Sequence, residues 1–137
     1  MDKVADTSAP TAYLLDTHII LWLTTDSKQL SESTKNIIRN GHCFISAVSL
    51  WEIAIKFSIG KLKLEGGLSV FLDAVKELDF QRIDIEDAHL NSLKTLPKPE
   101  NHKDPFDRLL IAQAVNIGLI IITHDENFSL YDVCLLK

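Results

Sequence analysis

The sequence predicts an α/β protein whose central parallel sheet lies between layers of helices. Two observations carry that expectation. Short apolar runs with little polar alternation recur along the chain, and segments of helical length separate them. A strand apolar on both sides must be covered on both sides, which is the environment of a parallel sheet. Composition agrees with one folded domain: 46% of the 137 residues are hydrophobic and 24% charged, ordinary values for a chain that buries a real core.

Residues 1–11 are small and polar and read as a loose lead-in to a single domain over residues 12–137. Residues 12–15 form a short buried strand ending at Asp16, and residues 19–23 a brief helix. Asp16 and His18 interrupt the apolar stretch 14–23, so it is no membrane span. The opening residues also lack the basic start and apolar core of a secretory signal. Cys43 and Cys134 lie far apart in apolar surroundings, which predicts a cytoplasmic protein with reduced thiols.

Ser31 starts and Gly41 stops the next helix, and residues 43–45 form a second buried strand. The following helix, residues 48–59, ends at Gly60. Its apolar residues include Trp51, Ile53, Ile55, Phe57 and Ile59 and exceed one helical stripe. That excess predicts a face around Trp51 and Phe57 covered by another chain, whereas Trp22 reads as core. Gly66 and Gly67 lead into a helix over residues 69–78, and residues 80–83 alternate like a strand. Residues 85–96 are helical, ended by Pro97 and Pro99.

Asp104 is a good N-cap for a helix with Pro105 at its first position and Gly118 beyond its end. Asp107 then falls in the first turn, where the helix dipole favours negative charge. Residues 119–123 make the most β-like strand in the chain, residues 124–128 a turn or short helix, and residues 133–135 a last strand.

In this order Asp16, Glu52, Asp107 and Asp125 all fall at one edge of the sheet, where strands end and returning helices begin. That edge is where open α/β proteins place their sites. Each acid has a structural alternative: Asp16 and Asp125 as caps, and Ser49 with Glu52 as a capping box. Together they make a stronger case, because clustered carboxylates repel unless a cation is present, and oxygen ligands suit magnesium or manganese. No Cys or His spacing suggests zinc.

At these residues the chain resembles a known family. Leu14-Leu15-Asp16-Thr17-His18, Ser49-Leu50-Trp51-Glu52-Ile53-Ala54-Ile55-Lys56, residues 104–114 and Thr123-His124-Asp125-Glu126-Asn127-Phe128 look like the successive motifs of PIN-domain ribonucleases. The likeness is greatest to VapC-type toxins of bacterial toxin–antitoxin pairs, and it spans residues 12 to about 135. It implies a PIN-like three-layer fold and a magnesium-dependent endoribonuclease. It also implies inhibition by a small cognate antitoxin, and usually a homodimer. Carried over by position, Asp16, Glu52, Asp107 and Asp125 match the family's acidic quartet, and Thr123 its hydroxyl residue before the last acid. His102 and Asp104 match only a subgroup's version of the third motif. Asp104 therefore stays chiefly a cap, with a supporting role at the site as the alternative. His18 is either a donor at the site's edge or a helix-start residue.

The implied chemistry is metal-assisted attack of water on a phosphodiester, since no nucleophilic Ser or Cys motif is present. Asp16 and Asp107 are the first choice as direct ligands. A net charge of −5 argues at first against a nucleic-acid partner. Removing Asp16, Glu52, Asp104, Asp107 and Asp125 takes it from −5 to 0, so the acidity is concentrated at the proposed site. Lys56, Lys61, Lys63, Lys98, Lys103 and Arg108 are then candidates for a rim that meets RNA phosphates, with a plain solvated surface as the competing reading. Two rivals fit less well. A receiver domain needs paired acids after the first strand and a late lysine, and a phosphatase needs Asp-x-Asp, but Thr17 and His18 follow Asp16. A PIN-fold RNA-processing enzyme without an antitoxin remains the nearer alternative.

Overall fold

Leu14, Leu15, Ile121 and Ile122 are sealed from solvent because consecutive strand residues face opposite sides of a sheet and both sides are covered. The structure, a computed structural model, describes residues 12–25, 27–98, 104–131 and 135–136. The expected lead-in 1–11, His102, Lys103 and Cys134 lie outside the described residues. The strands are β1 (Ala12–Leu15), β2 (His42–Ser46), β3 (Gln81–Ile83), β4 (Ile120–Ile122) and β5 (Leu135–Leu136). The helices are α1 (Thr17–Thr24), α2 (Glu32–Asn40), α3 (Ala47–Ser58), α4 (Gly67–Glu77), α5 (Asp87–Lys94) and α6 (Pro105–Ile117). A 3₁₀ turn, Glu126–Leu130, follows β4.

All strand pairs are parallel, in the order β3-β2-β1-β4-β5. The chain thus builds outward from β1 through β2 to β3, then returns to lay β4 on the other side of β1. Crossovers on the two sides of β1 leave a crevice beyond the C-terminal ends of β1 and β4, the topological switch point of an open α/β sheet. Two cores flank the sheet. Leu14 and Ile121 pack with Leu110, Ile111 and Phe128 on one face. Leu15, Ile45 and Ile122 pack with Ile19, Ile53 and Phe71 on the other. Each fully buried aliphatic side chain contributes roughly 1.5–3 kcal/mol.

Four helices start away from their expected residues: α1 two residues early at Thr17, capped by Asp16, α4 two early at Gly67, and α3 and α5 through local capping. α3 begins earlier than expected because the Ser46 hydroxyl accepts the Val48 N–H at 3.0 Å. Ser49 and Glu52 therefore lie inside the helix, and their reading as a capping box is overturned. α5 begins at Asp87 rather than residue 85, because the His89 imidazole Nδ1 accepts the Glu86 N–H at 3.0 Å and fixes Glu86 as the N-cap. Gly118, with φ +87°, ends α6 in the left-handed conformation that side chains resist.

A buried polar link crosses the layers. The Ser46 hydroxyl donates to Gln113 Oε1 at 2.5 Å, and Gln113 Nε2 lies 3.3 Å from both the Asp84 carbonyl and His89 Nδ1. Gln113 is fully buried on α6, so this network ties α6 to the ends of β2 and β3.

Candidate active site

Four carboxylates arrive at the switch-point edge from four different stretches of chain. Asp16 follows β1 and caps α1: its Oδ1 accepts the Thr17 N–H at 2.6 Å, and its Oδ2 accepts the Thr123 hydroxyl at 2.7 Å. The Thr123 oxygen in turn accepts the Asp125 N–H at 2.9 Å. The ends of β1 and β4 are thereby joined by side chains, as they are by the Asp16 N–H to the Ile122 carbonyl. Asp125 caps the 3₁₀ turn, its Oδ1 accepting the Asn127 N–H at 2.9 Å.

Glu52, only 3% exposed, sits in the second turn of α3. The Thr17 hydroxyl donates to its Oε1 at 2.8 Å, and Lys56, one turn along, donates to its Oε2 at 2.6 Å. The same Thr17 oxygen lies 3.0 Å from the Ser49 hydroxyl. Asp107 enters from the first turn of α6. Asp104 Oδ1 accepts the N–H groups of Phe106 and Asp107, at 2.9 and 3.0 Å, and so starts the helix that carries Asp107. Asp104 is the cap that the sequence indicates.

The acids lie near enough to act on one another's charge. Burial raises the Asp107 carboxyl to about 8, reinforced by the negative charges of Asp104, Asp16, Glu52 and Asp125. Burial also raises Asp16, opposed by its bonds from Thr123 and Thr17 and by nearby His18. The Glu52 hydrogen bond raises Lys56 against its burial. Among the described residues no three His, Cys, Asp or Glu side chains already stand as a ligand set. The fit to a cation is chemical: an all-oxygen donor set, in which burial and then like charge disfavour ionisation of Asp107 until a cation offsets them, suits magnesium or manganese. Asp16, Glu52, Asp107 and Asp125 are the residues that would hold it.

The proposed rim is gathered only in part. Lys56 is engaged with Glu52. Arg108 donates to the Pro97 carbonyl at 2.7 Å and the Tyr131 hydroxyl at 3.1 Å, bracing the base of α6. Lys61 and Lys63 follow the far end of α3, away from the acids, while exposed Lys98 precedes α6. Trp51 is 54% exposed, its ring edge-on to Phe106 at 5.0 Å, and Phe57 is half-buried. An open cleft lined by Arg39, His42, Asp79 and Gln81 lies at the opposite edge of the sheet and holds none of the acids.

Sequence reasoning missed Thr17 and Ser49, whose hydroxyls organise Glu52. The available signal was a hydroxyl directly after Asp16 and another one turn before Glu52. Trp22, read as core, packs half-buried against the second core, and its ring also meets His18 at 6.0 Å and His124 at 5.1 Å.

The family model described as PIN domain matches residues 13–133. No curated protein sequence matches the chain. Several solved structures share the fold. VapBC2 of Rickettsia felis, bound to a DNA fragment from its promoter, superposes with a TM-score of 0.67 at 18% identity, covering 92% of this chain and 98% of that one. DNA-bound VapBC of Salmonella typhimurium gives 0.69 at 16% identity, covering 92% and 97%. VapBC-1 of nontypeable Haemophilus influenzae gives 0.65 at 19% identity, covering 93% and 98%.

Proposed function

The chain belongs to the PIN-domain family, and from that premise we propose that it is a divalent-metal-dependent endoribonuclease, a VapC-like toxin held in check by a small cognate antitoxin. The observation that carries this reading is the meeting of Asp16, Glu52, Asp107 and Asp125 at the switch-point edge, close enough for Asp107 to feel the charge of the other three. The fold shared with the toxin–antitoxin complexes supports the partner, as does the solvent-facing Trp51 on α3.

When bound, magnesium or manganese would supply water activation and charge compensation at the phosphate. The protein supplies placement. Asp16 and Asp107 would be the principal ligands, Asp16 as the cap of α1 and Asp107 in the first turn of α6. Thr123 and Thr17 donate to Asp16 and Glu52 and hold those carboxylates at fixed angles. Glu52 and Asp125 complete the charge around the ion or accept the proton of the attacking water. Lys56 offsets part of the negative charge from the α3 side, and exposed Lys98 is a candidate to meet the RNA backbone.

The test is cleavage of RNA by the purified chain with magnesium or manganese, and its loss in the presence of a chelator. Asp16→Asn and Asp107→Asn are each expected to lower cleavage by at least about 100-fold while leaving the circular dichroism spectrum unchanged. Retained cutting by both variants overturns the assignment. Growth arrest on expression, relieved by the product of an adjacent small gene, tests the antitoxin. A chain that cuts RNA without arresting growth is an RNA-processing nuclease instead.

A further inference from the structure

We propose that His18, Trp22 and His124 form a stacking platform for a nucleobase of single-stranded RNA next to the phosphate being cut. The proposal rests on the nuclease reading above and adds to it the means by which an acidic chain holds its substrate.

Three observations support the platform. The first is position: His18 lies two residues after Asp16, and His124 stands between Thr123 and Asp125. The two imidazoles therefore follow the ends of β1 and β4, next to the acids along the chain. The second is convergence. Trp22 sits one helical turn beyond His18 on α1 and meets it at 6.0 Å with planes tilted by 42°. It meets His124 edge-on at 5.1 Å and 83°. Rings from two separate elements thus form one cluster. The third is exposure: both imidazoles face solvent, while Trp22 is half-buried against the second core and anchored there. Aromatic rings that only fill a core are covered, whereas both imidazoles here are exposed, and His18 lies near enough to Asp16 to act on its charge.

Substrate chemistry gives the platform its use. The acids repel a phosphodiester, and Lys56 is already engaged with Glu52. Phosphate attraction alone is a weak source of affinity for such a chain. Every base offers a π face, and stacking on aromatic side chains supplies affinity that tolerates many sequences.

The test uses the Asp107→Asn protein, expected to bind without cutting, with Trp51→Phe added so that Trp22 is the only indole. A short single-stranded oligoribonucleotide is expected to change Trp22 fluorescence, and an abasic ribose-phosphate oligomer of equal length is not. His124→Ala and His18→Ala are each expected to weaken binding by roughly 5- to 100-fold. His124→Phe, which keeps a flat ring and removes the imidazole nitrogens, is expected to bind like the parent. Equal binding of base-containing and abasic oligomers overturns the platform. So does undiminished binding by both alanine variants, or failure of His124→Phe to rescue. Cleavage by the unsubstituted chain is read in a separate assay, so a nuclease without a platform and a platform without a nuclease give different results.

Discussion

Thr17 ties two acids together: its amide N–H donates to Asp16 and its hydroxyl to Glu52. Replacing Thr17 by Val keeps the shape and removes only the hydroxyl, leaving a buried Glu52 oxygen short of a donor. The expected cost is about 1–3 kcal/mol, measured by denaturant unfolding, with cleavage falling as Glu52 loses its anchor. Thr17→Ser should restore most of both. Asp107 makes a second prediction at this scale. Its folded carboxyl titrates at about 8 against an ordinary 3.8, so the unfolded chain releases that proton first. Its contribution to stability is full below pH 4 or so and is lost as pH rises through about 8. In chelator, the melting temperature should fall between about pH 5 and pH 8, and Asp107→Asn should flatten that slope. Added magnesium or manganese should recover more stability at the alkaline end. The quartet was legible in the sequence because acids at strand ends carry a positional signal. Thr17 and Ser49 were not, since a hydroxyl acquires meaning only when folding brings Glu52 beside it.

Helix starts decide where the acids point. Asp104→Ala removes the acceptor for two N–H groups at the base of α6 and should cost about 1 kcal/mol of stability. Cleavage should fall further than stability does, because the first turn that carries Asp107 loosens. The Pro105 and Gly118 signals made α6 readable from sequence, since each is tied to a backbone geometry. α3 and α5 were read with shifted starts because several residues competed for each cap. Ser46 prevails in α3 through its strand-end position, and His89 secures Glu86 in α5. Gln113 had no readable partner: Ser46 lies 67 residues away along the chain. Gln113→Leu is expected to destabilise the protein by roughly 1–3 kcal/mol, seen as a lower unfolding midpoint, because Ser46 and the Asp84 carbonyl lose their partner.

At the scale of the molecule, alternation of apolar strands and helices was enough to indicate a parallel sheet and the edge at which the acids fall. Strand order was not readable, because neighbours such as β1 and β4 are chosen by long-range packing. The exposed surface of α3 carries a prediction here. Trp51→Ser should leave the fold intact and weaken capture by the antitoxin or by a second copy by at least about 30-fold, measured by titration calorimetry or sedimentation. Unchanged association would move the interface elsewhere. The hydrogen bond from Thr123 to Asp16 spans 107 residues. During synthesis Asp16 therefore waits for its partner, and for β4 just before it, until more than a hundred further residues have been added. A nascent or truncated chain lacking residues 120–125 therefore holds Asp16, Glu52 and Asp107 without the strand that aligns them. Alignment of the acids is thus tied to completion of the sheet, so a chain cut before β4 is expected to carry the acids without their geometry.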